Sequence, residues 1–300
     1  MVRFFDVKTA YSYSDIEETV YMLPPPGFER LVGDGKVCKL KRSIYGLPQS
    51  GRNWYMKIKS ELEKFGLTQL ASDNCVFIKS DGQNMLLLCM HVDDLAIFCN
   101  NDEMYQDTVN SIKSVFEVYE NKTSKFLGME IVKHKKWFYD NNFGFVNANS
   151  DASWGNAENG KSFSGGVILL GNSLISWKCH KQKSVSLSTC EAELFAISEI
   201  CKDIIWIVNL LSELKCKQFI NSTVILNSDS QAAIQWIKGT RSSNKSRHMN
   251  LRFHVVKDLL EDNVIELKYI QTELLIADFL TKAVNEEKLN YTVKNISLTS

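Results

Sequence analysis

Hydrophobic and polar positions in the first part of the chain follow two periods. Short apolar or alternating runs predict strands at FFDV, VFIKS, MLLLCM and LAIFC, and SDGQ predicts a turn between two of them. Helical spacing predicts a helix over QSGRNWYMKIKSELEKFG, which ends at Gly66. It predicts another over NDEMYQDTVNSIKSVFEVY, capped by Asn101 or Asp102. The pair Asp93 and Asp94 then lies at the tip of a hairpin.

The second part of the chain has a different order of elements. FVNANSD, FSGGVILLG and LISWKCH predict three consecutive strands. Apolar residues at alternating spacings of three and four predict a helix from about Ser188 to Leu214. STVILNSD and VIELKYIQ predict further strands, whereas SQAAIQWIKG, NKSRHMNLRFHVVKDLLEDN and LLIADFLTKAV predict helices. KHKKWFYDNNFGF has neither period, which indicates a junction between the two parts.

Four acidic residues of the second part fall at strand ends or on helices. They are Asp151, Glu193, Asp229 and Asp278. Carboxylates are costly to bring together unless cations neutralise them, so their convergence would imply a divalent metal, with Mg²⁺ the best match. Each acid also has an explanation without metal. Asp151 would form a strand-end turn, Asp229 would cap a helix, and the other two would lie on exposed helix faces.

Composition narrows the class of protein. Lys and Arg together number 35 and balance 35 Asp and Glu, so contact with nucleic acid would need a local basic patch. A hydrophobic content of 44% is enough for packed cores. The 8 cysteines form no CxxC pair, which predicts a reduced intracellular protein without a zinc site or disulfide framework. No apolar run is long enough to span a bilayer, so no membrane partner is expected.

The order of elements and acids is similar to the ribonuclease H fold. SDAS, AELFA, NSDSQ and IADFLTK resemble the ribonuclease H domains of copia-type LTR retrotransposon Pol polyproteins, and FFDVKTAY, SIYGLPQS, HVDDLAIF and KFLGMEI resemble their reverse transcriptase. The resemblance implies an α/β (α+β) protein. Its parts would be a partial reverse transcriptase palm at 1–132, a junction at 133–146, a ribonuclease H-like domain with a mixed five-stranded sheet at 147–286, and a C-terminal tail at 287–300.

For the later domain the resemblance implies a two-metal nuclease that acts on an RNA–DNA hybrid. Asp151, Glu193, Asp229 and Asp278 would hold two Mg²⁺ (or Mn²⁺) ions. Asp151 and Asp229 would bridge both ions from adjacent central strands. Many related enzymes carry a mobile histidine after the strand that reads VIELKYIQ here. This chain has Gln271 and Thr272 in that region.

For the palm the resemblance implies a second set of metal ligands. Asp6, Asp93 and Asp94 would be the polymerase carboxylates, Tyr11 would lie under the incoming sugar, and Gln49 would touch the nucleotide. The family's usual Tyr-Val-Asp-Asp reads HVDD here. The resemblance also implies fingers ahead of FFDVKTAY and a long thumb-and-connection segment after FLGMEI, of which almost nothing is present. We therefore expect polymerase activity to be lost.

Cationic residues cluster after one predicted strand and around the turn that precedes a later helix. The residues expected to contact phosphates are Lys178, Lys181, Lys183, Lys238, Arg241, Lys245, Arg247 and His248. A solvated helix face would have the same composition. Recognition of a hybrid by its shape implies no sequence specificity. The residues expected to lie mainly in the core are Trp154, Trp177, Trp206 and Trp236.

Two classes of function remain open. One is a metal-dependent ribonuclease with an inactive polymerase remnant attached. The other is a non-catalytic relic or a domesticated nucleic-acid-binding protein, with the product of a degenerate gene copy as a further alternative. Ancestry implies a cytoplasmic location, in a virus-like particle, or a nuclear one.

Overall fold

The computed structural model describes residues 1–33, 35–122, 125–131, 145–171, 173–216, 223–239 and 247–296. The chain divides into two compact units, Met1–Lys133 and His134–Ser300. The strands are β1 Val2–Val7, β2 Tyr21–Met22, β3 Cys38–Lys39, β4 Thr68–Gln69, β5 Val76–Ser80, β6 Met85–His91, β7 Asp94–Cys99, β8 Val118–Asn121, β9 Lys125–Phe126, β10 Met129–Glu130, β11 Val146–Ser153, β12 Phe163–Leu170, β13 Ser173–Lys181, β14 Val224–Ser228 and β15 Ile265–Tyr269. The α-helices are α1 Glu29–Val32, α2 Ser50–Lys64, α3 Asp102–Val115, α4 Thr189–Glu213, α5 Gln231–Lys238, α6 Arg247–Glu261 and α7 Glu286–Asn295.

The first unit is built on an antiparallel sheet with the strand order β4-β5-β6-β7-β1-β8. Helices α2 and α3 pack on this sheet, where Ile58 and Val109 are buried in one apolar cluster with Phe5. The side chain of Asn101 accepts a hydrogen bond from the backbone N–H of Met104 at 2.8 Å. This bond confirms Asn101 as the cap of α3, because it satisfies one of the free N–H groups of the first turn.

The predicted hairpin between β6 and β7 is confirmed. His91 pairs with Asp94 across the turn, and Val92 has a φ of 56°. A β-branched residue in the left-handed region is an outlier that surrounding contacts must hold in place. One such contact is the indole N–H of Trp54, which donates to the carbonyl oxygen of Val92 at 2.7 Å. Asp93 is thereby presented at the tip.

The second unit contains a five-stranded sheet with the order β13-β12-β11-β14-β15. Strands β11, β12 and β13 are antiparallel neighbours, whereas β14 pairs in parallel with both β11 and β15. This mixed sheet confirms the expected ribonuclease H-like arrangement. Ser188 caps α4 by accepting from the backbone N–H of Glu191 at 3.3 Å. The helix buries Leu194 and Ile197 against Ala148 and Leu226 of the two central strands.

The predicted final helix over LLIADFLTKAV is wrong in form. Residues Thr272–Leu274 and Ile276–Leu280 are short 3₁₀ turns. Leu275, Ile276 and Ala277 are buried in an apolar cluster with Val167 and Leu169 of β12, so this apolar run marks a segment that packs on the sheet rather than one face of a continuous helix. The segment expected to be a tail contributes α7, and Ile296 after it is buried in the cluster that holds Leu275. Among the described helices, none is both long enough and apolar enough to cross a membrane.

The turn at 276–282 approaches the sheet closely at Gly165. A Cβ atom on this residue would lie 2.7 Å from Thr281 Cγ2, 3.0 Å from Leu280 Cβ and 3.1 Å from the carbonyl oxygen of Ala277. Gly165 is the β12 partner of Asp151 on β11. The missing side chain therefore allows the turn to reach the strand that carries Asp151.

We expect Gly165→Ala to lower the free energy of unfolding, because the added methyl group has no space beside Thr281. Overpacking of this kind costs about 1–3 kcal/mol, which urea denaturation of the full chain would measure. Gly51→Ala is the control. Its Cβ would meet only the Tyr11 hydroxyl, at 3.9 Å, and it lies in α2, where alanine favours the helix. Equal losses in the two variants would contradict a steric role for Gly165.

Candidate metal centre

Three acidic side chains of the second unit converge. Asp151 lies on β11, Glu193 lies near the start of α4, and Asp229 directly follows β14. Three carboxylate oxygens, one from each residue, lie within 4.8 Å of one another. The parallel pairing of β11 with β14 carries the two aspartates to the same edge of the sheet, and the packing of α4 on these strands brings in Glu193. We call these three residues the acidic triad.

Two members of the acidic triad are buried and Asp229 is half-buried, and burial acts against negative charge. Asp151 is 1% exposed and Glu193 is 7% exposed. Burial, reinforced by the carboxylates of Asp278 and Asp229, raises the pKa of Asp151 to about 6. Burial and the charges of Asp151 and Asp229 raise the pKa of Glu193 well above its usual value. When its carboxyl groups ionise, the triad therefore needs a nearby positive charge to balance them.

The donor set of the triad fits a hard divalent ion. Glu193 Oε1 accepts a hydrogen bond from the backbone N–H of Ala152 at 3.3 Å. Its Oε2 atom is buried and has no hydrogen-bond partner among the described residues. Buried polar atoms are nearly always partnered, so an orphaned carboxylate oxygen beside two other carboxylates indicates a site for a cation. Carboxylate oxygens are the ligands that Mg²⁺ and Mn²⁺ prefer.

Asp278, the fourth predicted ligand, is held by lysines beside the triad. Its carboxylate is 3.0 Å from Lys282 Nζ and 3.6 Å from Lys288 Nζ. Lys282 Nζ is also 3.8 Å from Asp151 Oδ1. Burial opposes the charge of Lys282, but Asp151 and Asp278 raise its pKa above the usual value. The sequence reasoning missed both lysines. The spacing of four residues between Asp278 and Lys282 was the available signal, because it favours an ion pair on one helical turn.

Two hydroxyl groups orient the aspartates of the triad. Thr281 Oγ1 donates to Asp151 Oδ2, and Thr272 Oγ1 donates to Asp229 Oδ2 at 2.7 Å. Thr272 lies in the region after β15 where related enzymes were expected to carry a histidine. Its hydroxyl contacts an aspartate of the acidic triad, and the residue offers no imidazole for proton transfer. The partner of Thr272 is not evident from the sequence.

The acids of the first unit are arranged more openly. Asp6 on β1 pairs with Asp94 on β7, and Asp93 lies at the neighbouring hairpin tip. Burial and the charges of Asp93 and Asp6 raise the pKa of Asp94. Tyr45 donates its hydroxyl to Asp93 Oδ2 at 3.2 Å, and its ring contacts that of Tyr11 in a tilted arrangement with centroids 4.3 Å apart. Among the described residues, these acids do not converge as closely as the triad. Gln49 lies at the N-terminus of α2.

Comparison with known proteins relates this chain to retrotransposon Pol polyproteins. Residues 1–148 match the family model described as reverse transcriptase (RNA-dependent DNA polymerase). The retrovirus-related Pol polyprotein from transposon TNT 1-94 of Nicotiana tabacum is 25% identical over 401 residues, which cover 96% of this chain and 30% of the relative. The Pol polyprotein from transposon RE1 of Arabidopsis thaliana is 20% identical over 403 residues, with 99% and 27% covered. The chain is similar to copia-type retrotransposon Pol polyproteins over nearly its whole length.

One solved structure shares the fold of this chain. The foamy viral protease–reverse transcriptase, solved in complex with RNA/DNA hybrid, matches with a TM-score of 0.52 and 10% identity, over 95% of this chain and 46% of that one. This chain spans 30% of the length of its tobacco relative. That alignment of 401 positions exceeds the 300 residues of this chain, so the relative carries positions within the matched region that this chain lacks.

Several of the cationic residues that were expected to contact phosphates form ion pairs or hydrogen bonds within the protein. Lys178 forms an ion pair with Asp203 at 2.8 Å, and Lys181 forms one with Glu158 at 3.6 Å. Lys183 is exposed and forms no ion pair within the described part of the chain. Exposed ion pairs contribute little to stability and exchange readily with phosphate oxygens. The cluster after β13 therefore still carries charge that could face a nucleic acid.

The cluster around α6 is described only in part. Lys238 Nζ donates to the carbonyl oxygen of Leu267 at 2.9 Å, which turns it toward the protein. The other predicted phosphate contacts of this cluster have side chains outside the described part of the chain. They are Arg241, Lys245, Arg247 and His248. The prediction for the tryptophans is wrong in three of four positions. Trp154 is 46% exposed in the turn after β11, Trp177 is 64% exposed on β13, and Trp206 is 42% exposed on α4.

We expect Asp151→Asn to stabilise the metal-free protein at about pH 7, by roughly 1–3 kcal/mol. A carboxyl whose pKa is raised by folding is penalised once it ionises, so the penalty is absent below the unfolded pKa and grows as pH rises toward about 6. The gain from the substitution should therefore vanish near pH 4. Thermal melts in a chelator across this range would measure it.

The same melts with Mg²⁺ or Mn²⁺ provide the complementary result. An ion that binds only the folded state stabilises it by about 2.7 kcal/mol at one hundred times its dissociation constant. Wild-type protein should gain stability with the ion, and Asp151→Asn should gain far less. Asp258→Asn, at an exposed position of α6, is the control and should behave as wild type. A wild-type melt that does not respond to either ion would count against the metal centre.

Proposed function

We propose that the second unit is a metal-dependent ribonuclease that cleaves the RNA strand of an RNA–DNA hybrid, within residues 147–286. The observation that carries this proposal is the acidic triad, with its orphaned Glu193 oxygen on a ribonuclease H-like sheet. A structural cluster of acids would be expected to have its buried oxygens satisfied by donors. Here the geometry leaves one oxygen open toward two other carboxylates.

A Mg²⁺ or Mn²⁺ ion held by the triad would supply Lewis-acid stabilisation of charge on the scissile phosphate. Asp151, Glu193 and Asp229 would be its ligands. Thr281 and Thr272 would fix the orientation of the two aspartates through their hydroxyl hydrogen bonds. Outer partners of this kind hold ligands in register and are needed for full metal affinity. The second ion expected from the sequence would require Asp278, whose carboxylate is paired with lysines.

The proposed substrate is a duplex that contains RNA. The foamy viral protease–reverse transcriptase, which shares the fold, was solved in complex with RNA/DNA hybrid. The similarity of this chain to retrovirus-related Pol polyproteins supports the same class of substrate. Lys183 and the ion-paired Lys178 and Lys181 lie on or after the edge strand β13, where they could contact phosphates. Phosphate contacts position a duplex without reading bases, so cleavage would show no sequence preference.

Incubation of the full chain with a hybrid labelled on its RNA strand tests this function. We expect cleavage with Mg²⁺ or Mn²⁺ and its loss in Asp229→Asn, which keeps the volume of the side chain and removes the charge of one ligand. Loss of a metal ligand in such a site should reduce the rate by at least about a hundredfold. Asp258→Asn is the matched control and should keep wild-type activity.

Equal cleavage by the wild type and Asp229→Asn would show that another activity is responsible. Binding of hybrid without any cleavage, under conditions where the triad is loaded with metal, would favour the alternative function of a nucleic-acid-binding protein. A low rate alone would not, because Thr272 in the region of the expected histidine provides no proton-transfer group.

We further propose that the purified 300-residue chain does not extend a primer. Its alignments with Pol polyproteins are longer than the chain, so those relatives carry segments within the matched region that this chain lacks. We infer that the missing segments include those that hold the template and the nucleotide against the palm. Positioning of both substrates can account for about 7–11 kcal/mol of barrier lowering, which a palm without its clamps would largely lose. A primer-extension assay on an RNA template would measure this. Processive synthesis would refute it, and intact hybrid cleavage by the same preparation would control for folding.

A further inference from the structure

Lys282 bridges two carboxylates at one side of the metal centre. Its ammonium nitrogen is 3.0 Å from Asp278 Oδ1 and 3.8 Å from Asp151 Oδ1. Both acidic side chains are almost fully buried, with 5% and 2% of their surface exposed, whereas the lysine side chain is 39% exposed. The positive charge therefore enters the site from solvent and ends between two buried negative charges.

The backbone holds this lysine in place. The N–H groups of Thr281 and Lys282 both donate to the carbonyl oxygen of Asp278, at 3.0 Å and 3.1 Å. The resulting turn lies against Gly165, which has no side chain to keep it away from β12. Thr281 joins the turn to Asp151 through its hydroxyl. The packing of the turn thus fixes the backbone of Lys282 beside Asp151 and Asp278, and its side chain needs only to reach between their carboxylates.

The Asp278 side and the Glu193 side of the site differ in whether lysines neutralise the carboxylate charge. On the Asp278 side, Lys282 is joined by Lys288, whose side chain is only 11% exposed and lies 3.6 Å from Asp278 Oδ2. Asp278 Oδ1 and Glu193 Oε2 are both buried without a hydrogen bond among the described residues, but only Asp278 Oδ1 has a lysine ammonium group nearby, that of Lys282 at 3.0 Å. Glu193 is more than nine-tenths buried, and its carboxylate faces those of Asp151 and Asp229.

We propose that the Lys282 ammonium group is the resident cation of the Asp151–Asp278 side, so that the resting site binds one divalent ion, at the acidic triad. This inference rests on the proposed function, because it concerns the same metal centre. A second divalent ion would have to displace the ammonium group from between the two carboxylates. It would also face repulsion from Lys288, since like charges this close in a buried site interact strongly.

The alternative is that the site binds two divalent ions when no nucleic acid is present. Lysine is a compact point charge on a flexible stem, so it can neutralise a carboxylate pair that would otherwise require metal. Removal of that charge leaves Asp151 and Asp278 unmatched and makes room for a second ion. The number of ions bound without nucleic acid therefore separates the two arrangements.

Mn²⁺ titration of the full chain without nucleic acid, followed by the electron paramagnetic resonance signal of free Mn²⁺, tests the proposal. Ions that are lost in Asp151→Asn belong to this centre, which separates them from ions at the acids of the first unit. We expect wild type to bind one such ion and Lys282→Gln to bind two. Lys282→Arg keeps the charge and should bind one. Lys294→Gln, at an exposed position of α7, is the matched control and should also bind one.

Two ions of equal affinity in wild type, or one ion in a folded Lys282→Gln variant, would overturn the proposal and leave the nuclease function intact. If Asp151→Asn loses no ion at all, both the proposal and the metal centre fail. Thermal melts of each variant show whether it folds. If Lys282→Gln does not fold, the wild-type count still decides, because one ion supports the proposal and two exclude it.

Discussion

The burial of like charges against one another is the constraint on which the second unit depends. Asp151, Glu193 and Asp229 come from three separate elements, and their carboxylates approach within 4.8 Å in the interior. Such an arrangement is unfavourable by itself, so the rest of the fold must supply the energy to hold it. The parallel pairing of β11 with β14 and the apolar packing of α4 supply it, with further positive charge from the turn after β15.

The two units show how the same residue type has different properties in different settings. In the first unit, Asp6 and Asp94 face each other across antiparallel strands, and Asp93 is at a hairpin tip that Tyr45 reaches with its hydroxyl. Asp6 is exposed, and Asp93 and Asp94 are half-buried, so water screens these charges more than it screens fully buried ones. In the second unit, Asp151, Glu193 and Asp278 are almost fully buried. Lysines and a divalent ion are the means by which their charge can be met.

Much of the architecture could be predicted from local pattern. The hairpin with Asp93 at its tip, the cap at Asn101, the cap at Ser188 and the mixed sheet all follow from hydrophobic period and capping chemistry, which act within a few residues. The final helix was wrong because the apolar residues Leu275 to Ala277 pack against Val167 and Leu169 of β12, a long-range contact that spacing along the chain does not show. The tryptophans were misplaced for a related reason, since size and hydrophobicity do not specify which face of an element meets solvent.

The sequence by itself determined which acids could form the centre, because motif order and element type assign Asp151, Glu193, Asp229 and Asp278 to one edge of a ribonuclease H-like sheet. Only the tertiary structure decided how their charge is shared. The contact of Gly165 with the turn at 276–282 brings Lys282 to within 3.8 Å of Asp151, a residue far away in the chain. Long-range contacts of this kind depend on packing between β12 and a distant turn. Because of these contacts, Asp151, Glu193 and Asp229 converge, whereas Asp278 is paired with lysines. The local sequence does not show this difference between the four acids.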